Sequence, residues 1–298
     1  MQLPEVEREV SWTEYVALAR QVEDLGFDSL WLGDHLFYRE PDGTTAGPWE
    51  AWTMLAAIAA VTSRIRLGPL VACTAFHNPA ILAKQAATLD EISGGRFVLG
   101  LGAGWNETEF RAFGLPFDHR ISRFEEAFTI IRTLLREGSI DFEGRFYQAR
   151  DCELRPRSPT PGGPPILIGS SGDRMLRITV PYVQGWNAWF ADTGNSPNGV
   201  RALRDRVDAA CAELRVDPAA IERSVAVLVQ LPGFIGRRSG DTPEDESAPP
   251  VRGTAEEMAA ELRRYAAEGI AEVQLVVDPI DRRSLDRLGP VLERLDAG

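Results

Sequence analysis

Residues 96–110 read RFVLGLGAGWNETEF. The run Phe97–Leu101 has the apolar density of a buried strand, and it ends among Gly100, Gly102 and Gly104. The dinucleotide fingerprint G-x-G-x-x-G asks for a third glycine where this chain has Trp105. A bulky indole there also conflicts with the close helix–strand packing that glycine serves. The stretch is therefore not a Rossmann turn. Glycines after a strand mark a tight turn or a close approach of backbone. What remains is a strand, a glycine turn and the polar start of a helix, and that unit recurs along the chain.

Further strand-like runs are Ser29–Leu32, Ile65–Val71, Pro165–Ile168, Trp186–Phe190, Val225–Leu231 and Glu272–Val277. Between them the spacing predicts helices over 12–25, 50–62, 78–92, 121–136, 172–183, 198–214 and 254–268, with a last one over 283–295. Thr254 and Glu257 have capping-box spacing. Alternating strands and helices imply a parallel sheet, either doubly wound or closed as a (β/α)₈ TIM barrel. No composition break marks a second domain, so a single barrel over 1–298 is the expectation. Only Met1–Pro4 can supply its shortened first strand. Residues 139–153 read as a hairpin insertion around Glu143-Gly144, and 236–252 as a flexible polar loop.

A net charge of −12 argues against nucleic acid as a partner, which needs a basic face. Cys73, Cys152 and Cys211 are odd in number and far apart, which supports neither a disulfide framework nor a zinc site. They fit reduced, buried thiols in a cytoplasmic protein. No apolar run has the ~18 residues of a membrane span, and no signal-peptide pattern opens the chain.

In a barrel, chemistry gathers at the carboxyl ends of the strands. Those ends carry Asp34-His35, then Ala72-Cys73-Thr74, then Gly104-Trp105-Asn106, then Gly169-Ser170-Ser171, then Trp189-Phe190. A histidine beside an acid suits proton transfer, because its pKa lies near neutrality; the alternative is a packed, hydrogen-bonded ring. Gly169–Gly172 can present backbone N–H groups to an anion, or can simply start a helix. Trp105, Trp189 and Phe190 line a flat pocket or belong to the core. No histidine spacing indicates a metal.

LGFDSLWLGDHL (25–36), HNPAILAKQAATLDEISGGRFVLGLGAGWNETEF (77–110), FDHRISRFEEAFTIIRTLL (117–135) and PPILIGSSG (164–172) together resemble the luciferase-like monooxygenase superfamily, in particular its F420-dependent oxidoreductases. The resemblance implies an F420 cofactor, with FMN as the alternative, and hydride exchange with a small-molecule substrate. It places Asn106 on the cofactor, and a bulge with a non-proline cis peptide near Leu70-Val71, beside Ala72, Cys73 and Thr74, under the ring. It puts the phosphate on Gly169, Ser170 and Ser171 and brings His35 near the reactive face, so His35 is the expected proton donor or acceptor, with Asp34 orienting it or shaping the ring edge. Arg174 and Arg177 are candidates for an acidic cofactor tail. A homodimer is expected. Gly104 and Trp105 stand where the family's sugar-phosphate dehydrogenases carry a glutamate, which disfavours that substrate. An FMN-dependent monooxygenase and a non-catalytic cofactor-binding barrel are the competing readings.

Overall fold

Local signals that the sequence carries are used where the elements begin. Asn78 caps a helix with Pro at its first turn, and Thr254 with Glu257 closes the expected capping box. The computed structural model describes residues 1–39, 42–234 and 248–297. In chain order these form α1 (Trp12–Asp24), β1 (Ser29–Leu32), β2 (Tyr38–Arg39), β3 (Thr45–Ala46), α2 (Ala51–Val61), β4 (Arg66–Pro69), β5 (Ala72–Cys73) and α3 (Pro79–Ser93). Then come β6 (Leu99–Gly102), α4 (Glu107–Ala112), α5 (Arg120–Glu137), β7 (Ser139–Glu143), β8 (Gln148–Glu153), β9 (Ile166–Ile168) and α6 (Asp173–Thr179). The chain continues through β10 (Gly185–Ala188), α7 (Pro197–Leu214), β11 (Glu222–Gln230), α8 (Ala255–Ala267), β12 (Glu272–Asp278) and α9 (Arg282–Asp296). The β2–β3 ribbon and the short α4 have no counterpart in the periodicity, because each is too brief to set up a pattern.

The strands run parallel in the order β12-β11-β10-β9-β6-β5, with β1 paired to β4. A bridge from Leu67 to Phe97 joins β4 to the start of the β6 segment. The shortened first strand completes the ring. The N–H of Leu3 donates to the Trp31 carbonyl and that of Trp31 to Met1, each at 2.9 Å, while the N–H of Gln2 donates to Leu275 at 2.9 Å. The TIM barrel is thus closed by three residues that lie between β1 and β12.

The helices bury their apolar stripes on the outside of this ring. Along β11, Val225, Val227 and Val229 pack outward into the main core with Leu262 and Leu285, and Ser224 and Ala226 take the alternate face. The fourth-strand glycines allow a close approach between strands. A Cβ on Gly100 would fall on the Pro69 carbonyl oxygen, and one on Gly102 would lie 2.7 Å from a Val71 methyl. The chain bulges at that point between β4 and β5, and the Leu70–Val71 peptide is cis, where the resemblance placed it.

Residues 139–153 form an antiparallel hairpin, β7 with β8. Its turn is fastened to α5, since the Glu126 carboxylate accepts the backbone N–H groups of Arg145, Phe146 and Tyr147 at 2.8–3.0 Å. Most of the expected 236–252 loop lies outside the described residues. Its end is ordered by the barrel: Val251 pairs with β11, and its N–H donates to Leu228.

Candidate active site

A cavity of about 500 Å³ opens at the carboxyl ends of the strands. Its wall begins where β1 gives way to Gly33-Asp34-His35. His35 Nδ1 lies 3.0 Å from Oε2 of Glu109 on α4. Glu109 is fully buried, and its Oε1 also accepts the backbone N–H groups of Leu36 at 2.6 Å and Phe37 at 3.2 Å. A carboxylate engaged by these donors can only accept, so His35 carries its neutral-state proton on Nδ1 and turns Nε2 toward the cavity. Glu5 Oε1 lies 4.0 Å from that Nε2. Glu5 is itself held by the Gln2 side-chain amide and the Tyr38 hydroxyl, both at 2.6 Å. The Cβ that Gly33 lacks would fall on the Glu5 carboxylate, so glycine there is what admits the acid.

Burial opposes charge on His35. The hydrogen bond to Glu109 and the charges of Glu5, Glu109 and Asp34 oppose burial and prevail, so its pKa is raised from the ordinary histidine value. Tyr38 packs on the imidazole at 4.7 Å and Trp105 meets it edge-on at 5.6 Å.

Asp34 does not orient His35, contrary to the expectation. Its Oδ2 accepts the Cys73 N–H at 2.9 Å and lies 3.1 Å from His77 Nε2. It ties the β1 turn to the β5 turn. The acid that orients His35 is Glu109, which the sequence reading did not single out.

Of the residues expected around the cofactor, Val71, Cys73, Gly169, Ser170 and Ser171 line the cavity. Ala72 and Thr74 are buried behind it; Ala72 pairs with Leu101, and the Thr74 hydroxyl donates to the Gly102 carbonyl at 3.3 Å. Asn106 lies outside the lining: it caps α4, accepting from the Thr108 N–H at 3.2 Å and donating to the Phe37 carbonyl at 3.4 Å. Trp105 and Trp189 line the cavity, whereas Phe190 is core, packed with Ala226 and Val276. Burial, then the Asp34 charge, pushes the Cys73 thiol pKa far up, which leaves it protonated and inert.

The turn after β9 is shaped from two sides. Trp186 Nε1 donates to the Ser170 carbonyl at 2.9 Å, and the Gly169 N–H donates to Leu101 at 3.3 Å. A Cβ on Gly169 would stand 3.1 Å from both Val71 methyls, so this glycine makes room for the bulge. Arg174 and Arg177 do not reach the cavity. They pair at the surface with Glu125 at 2.8 Å and Glu213 at 3.0 Å. Among the described residues the cation in the lining is Arg120, bonded to the Gly104 carbonyl at 2.5 Å and set over the Phe117 ring at 4.5 Å. Among the described residues no cluster of three or more His, Cys, Asp or Glu could hold a metal ion. None of the described helices is long and apolar enough to cross a membrane.

Comparison with known proteins bears on family and fold. Residues 2–245 match the family described as luciferase-like monooxygenase. The chain is 32% identical over 199 residues to a 5,10-methylenetetrahydromethanopterin reductase of Archaeoglobus fulgidus, covering 67% of this chain and 54% of that protein. It is 34% identical over 169 residues to a pyrimidine monooxygenase of Stutzerimonas stutzeri, covering 55% and 46%. It is 33% identical over 177 residues to an F420-dependent glucose-6-phosphate dehydrogenase of Amycolatopsis mediterranei, covering 55% and 52%. The chain thus spans about half the length of the curated relatives it matches. In fold it superposes on an F420-dependent secondary alcohol dehydrogenase with a TM-score of 0.79 at 20% identity, covering 94% of each chain.

Proposed function

Because this chain belongs to the luciferase-like monooxygenase family, we propose that it is an F420-dependent oxidoreductase acting on a small organic substrate. The family's members use F420 or a flavin, and the cavity fits a planar ring that carries a phosphate. Leu70, Val71 and Trp189 offer apolar surface to a ring. The small residues Gly169, Ser170 and Ser171 line the cavity between β9 and α6; the Gly169 N–H is given to Leu101, so the backbone N–H groups of Ser170 and Ser171 are the ones that suit an anion. In this reading Val71 and Cys73 lie under the ring, Ser170 and Ser171 take the phosphate, and Gly169 leaves it room. Ala72, Thr74 and Asn106 support the site from behind.

F420, when bound, supplies or accepts the hydride. The protein's task is then the proton that accompanies it. The observation that carries the reading is the His35–Glu109 pair. Glu109 keeps the Nδ1 proton, so the proton exchanged with the cavity is the one on Nε2. Glu5 favours the charged ring from the other side. Reduction of a carbonyl adds hydride at carbon and a proton at oxygen, and His35 Nε2 is the group placed to give that proton; oxidation of the alcohol returns it.

The 34% identity to a pyrimidine monooxygenase supports a second reading, an FMN-dependent monooxygenase. Fluorescence titration with F420 and with FMN separates the two. Binding of F420 at micromolar concentration with much weaker FMN binding is expected; the reverse order overturns the F420 reading. A His35→Ala variant that binds F420 normally yet loses turnover is the expected result for the proton role.

A further inference from the structure

Among the described residues four carboxylates line the cavity: Glu5, Asp34, Glu109 and Asp192. Three of them are already engaged. Glu5 accepts from Gln2 and Tyr38, and Asp34 accepts the Cys73 N–H and faces His77 Nε2. Glu109 accepts the Leu36 and Phe37 N–H groups and holds His35. Asp192 differs. Its side chain has no hydrogen-bonding or ionic partner among the described residues. Arg120 is engaged with the Gly104 carbonyl and the Phe117 ring and makes no ion pair with it.

The chain holds Asp192 at that wall. It belongs to the short 3₁₀ turn Phe190–Thr193 that follows β10. The Asp192 N–H donates to the Trp189 carbonyl at 3.0 Å, and the Asn195 N–H to the Phe190 carbonyl at 2.7 Å. The Asn195 side chain then spans to β11. Its Nδ2 donates to the Leu228 carbonyl and its Oδ1 accepts the Leu228 N–H, both at 2.9 Å. Phe190 is anchored in the core with Ala226 and Val276. On the other side α7 approaches so closely that a Cβ on Gly199 would fall on the Thr193 carbonyl. The turn cannot swing away without breaking these contacts, and an aspartate has only one methylene of reach.

The lining beside Asp192 is apolar, with Ala191 on the same turn and Leu203 on α7. Burial raises the Asp192 pKa from the ordinary carboxylate value, and no neighbouring charge offsets it. A metal ion there would need several oxygen ligands, and the described residues offer no such cluster. An organic cation suits the place better. Its nitrogen gives the carboxylate a charge-assisted hydrogen bond, and its carbon skeleton covers the apolar wall.

Resting on the proposed function above, we infer that Asp192 is a specificity-determining residue that pairs with an ammonium group of the substrate, and that the small organic substrate is an amine-bearing carbonyl compound or the corresponding amino alcohol. The ammonium group takes no part in the reaction. Hydride goes to the carbonyl carbon and the His35 Nε2 proton to the oxygen, while the nitrogen stays paired with Asp192.

Calorimetric titration with three probes of one skeleton tests this: phenethylammonium, phenethyl alcohol and phenylacetate. Each is titrated into the F420-saturated protein and into the cofactor-free protein. The salt is held at about 0.15 M, where a Debye length of about 8 Å screens the general pull of the net charge. The ammonium probe should bind at least about fivefold tighter than the alcohol, the range of one hydrogen bond to a charged group. Asp192→Asn, with its fold checked by circular dichroism, should bring the two to within about twofold of each other, since the charge is gone. A parent protein that binds the ammonium probe no better than the alcohol overturns the inference, and so does a preference that survives Asp192→Asn. Tightest binding of phenylacetate overturns it in favour of Arg120 as the anchor. Failure to bind F420 overturns the cofactor reading instead, and the ratio in the cofactor-free protein then decides the role of Asp192 by itself.

Discussion

A side chain on Gly169 would meet Val71 across a whole strand, because β6 lies between β5, which Val71 precedes, and β9, which Gly169 follows. The contact is possible because β6 presents Gly100 and Gly102, over which the Val71 side chain lies. Three glycines on two strands thus accommodate one valine. Gly169→Val should therefore lower the apparent melting temperature even without cofactor, with a loss of about 1–3 kcal/mol as for overpacking a filled site. Gly169→Ala should be milder, since its Cβ stands at the tight but tolerable distance of 3.1 Å. Differential scanning fluorimetry of the cofactor-free variants checks this. A Gly169→Val protein as stable as the parent would mean that Val71 moves aside freely.

Gly104 has φ +74°, and a Cβ there would stand 2.5 Å from Cys73 Sγ and 2.8 Å from the Phe110 ring. Both backbone and packing oppose a side chain. Gly104→Ala should cost about 1–3 kcal/mol in urea unfolding. The damage should extend to the site, because the Gly104 carbonyl accepts from Arg120.

Glu109→Gln preserves size and removes charge. The Leu36 and Phe37 N–H groups can still be accepted by one oxygen, but His35 loses its strongest reason to be charged. The His35 pKa should fall in the variant, as read by its imidazole C–H resonances. Stability should drop by about 1–3 kcal/mol, the range for hydrogen bonds to a buried charged group. An unmoved His35 titration would assign Glu109 to the loop alone.

The raised pKa of His35 has a sign that can be worked out. The folded protein holds the imidazolium proton more tightly than the unfolded chain. That contribution is complete below the ordinary histidine pKa of about 6.5 and disappears as pH rises through the higher folded value. Unfolding free energies measured from pH 6 upward should show this loss in the parent protein and not in His35→Asn. Under the proposed function, carbonyl reduction should also decline with pH above 6.5, with an apparent pKa that falls in Glu109→Gln.

The barrel was legible because each strand and helix advertises itself locally. Runs such as Val225–Val229 are apolar throughout, and helices such as Arg120–Glu137 carry an apolar stripe. His35 was legible for the same kind of reason, as a titratable residue at a strand end. Glu109 was not, because an acid in the first turn of a helix reads as a solvated one. Its burial arises only when α4 folds back onto the turn after β1. Glu5 was hidden likewise, in a loop ahead of the first helix. Gly169 was read as presenting its backbone N–H to an anion, whereas that N–H is donated to Leu101 and a Cβ there would meet the methyls of Val71. Arg120 stood in a quoted stretch, but nothing in its neighbours says that it faces inward rather than outward like Arg174.

The closing segment does two jobs with one stretch of chain. Leu3 and Gln2 complete the ring of hydrogen bonds, and Gln2 and Glu5 furnish the cavity. Assembly and equipment of the site are therefore a single event. A chain in which this segment has not docked lacks the carboxylate beside His35. Docking of the segment and completion of the site are linked, so a ligand that contacts Gln2 or Glu5 also favours the closed ring.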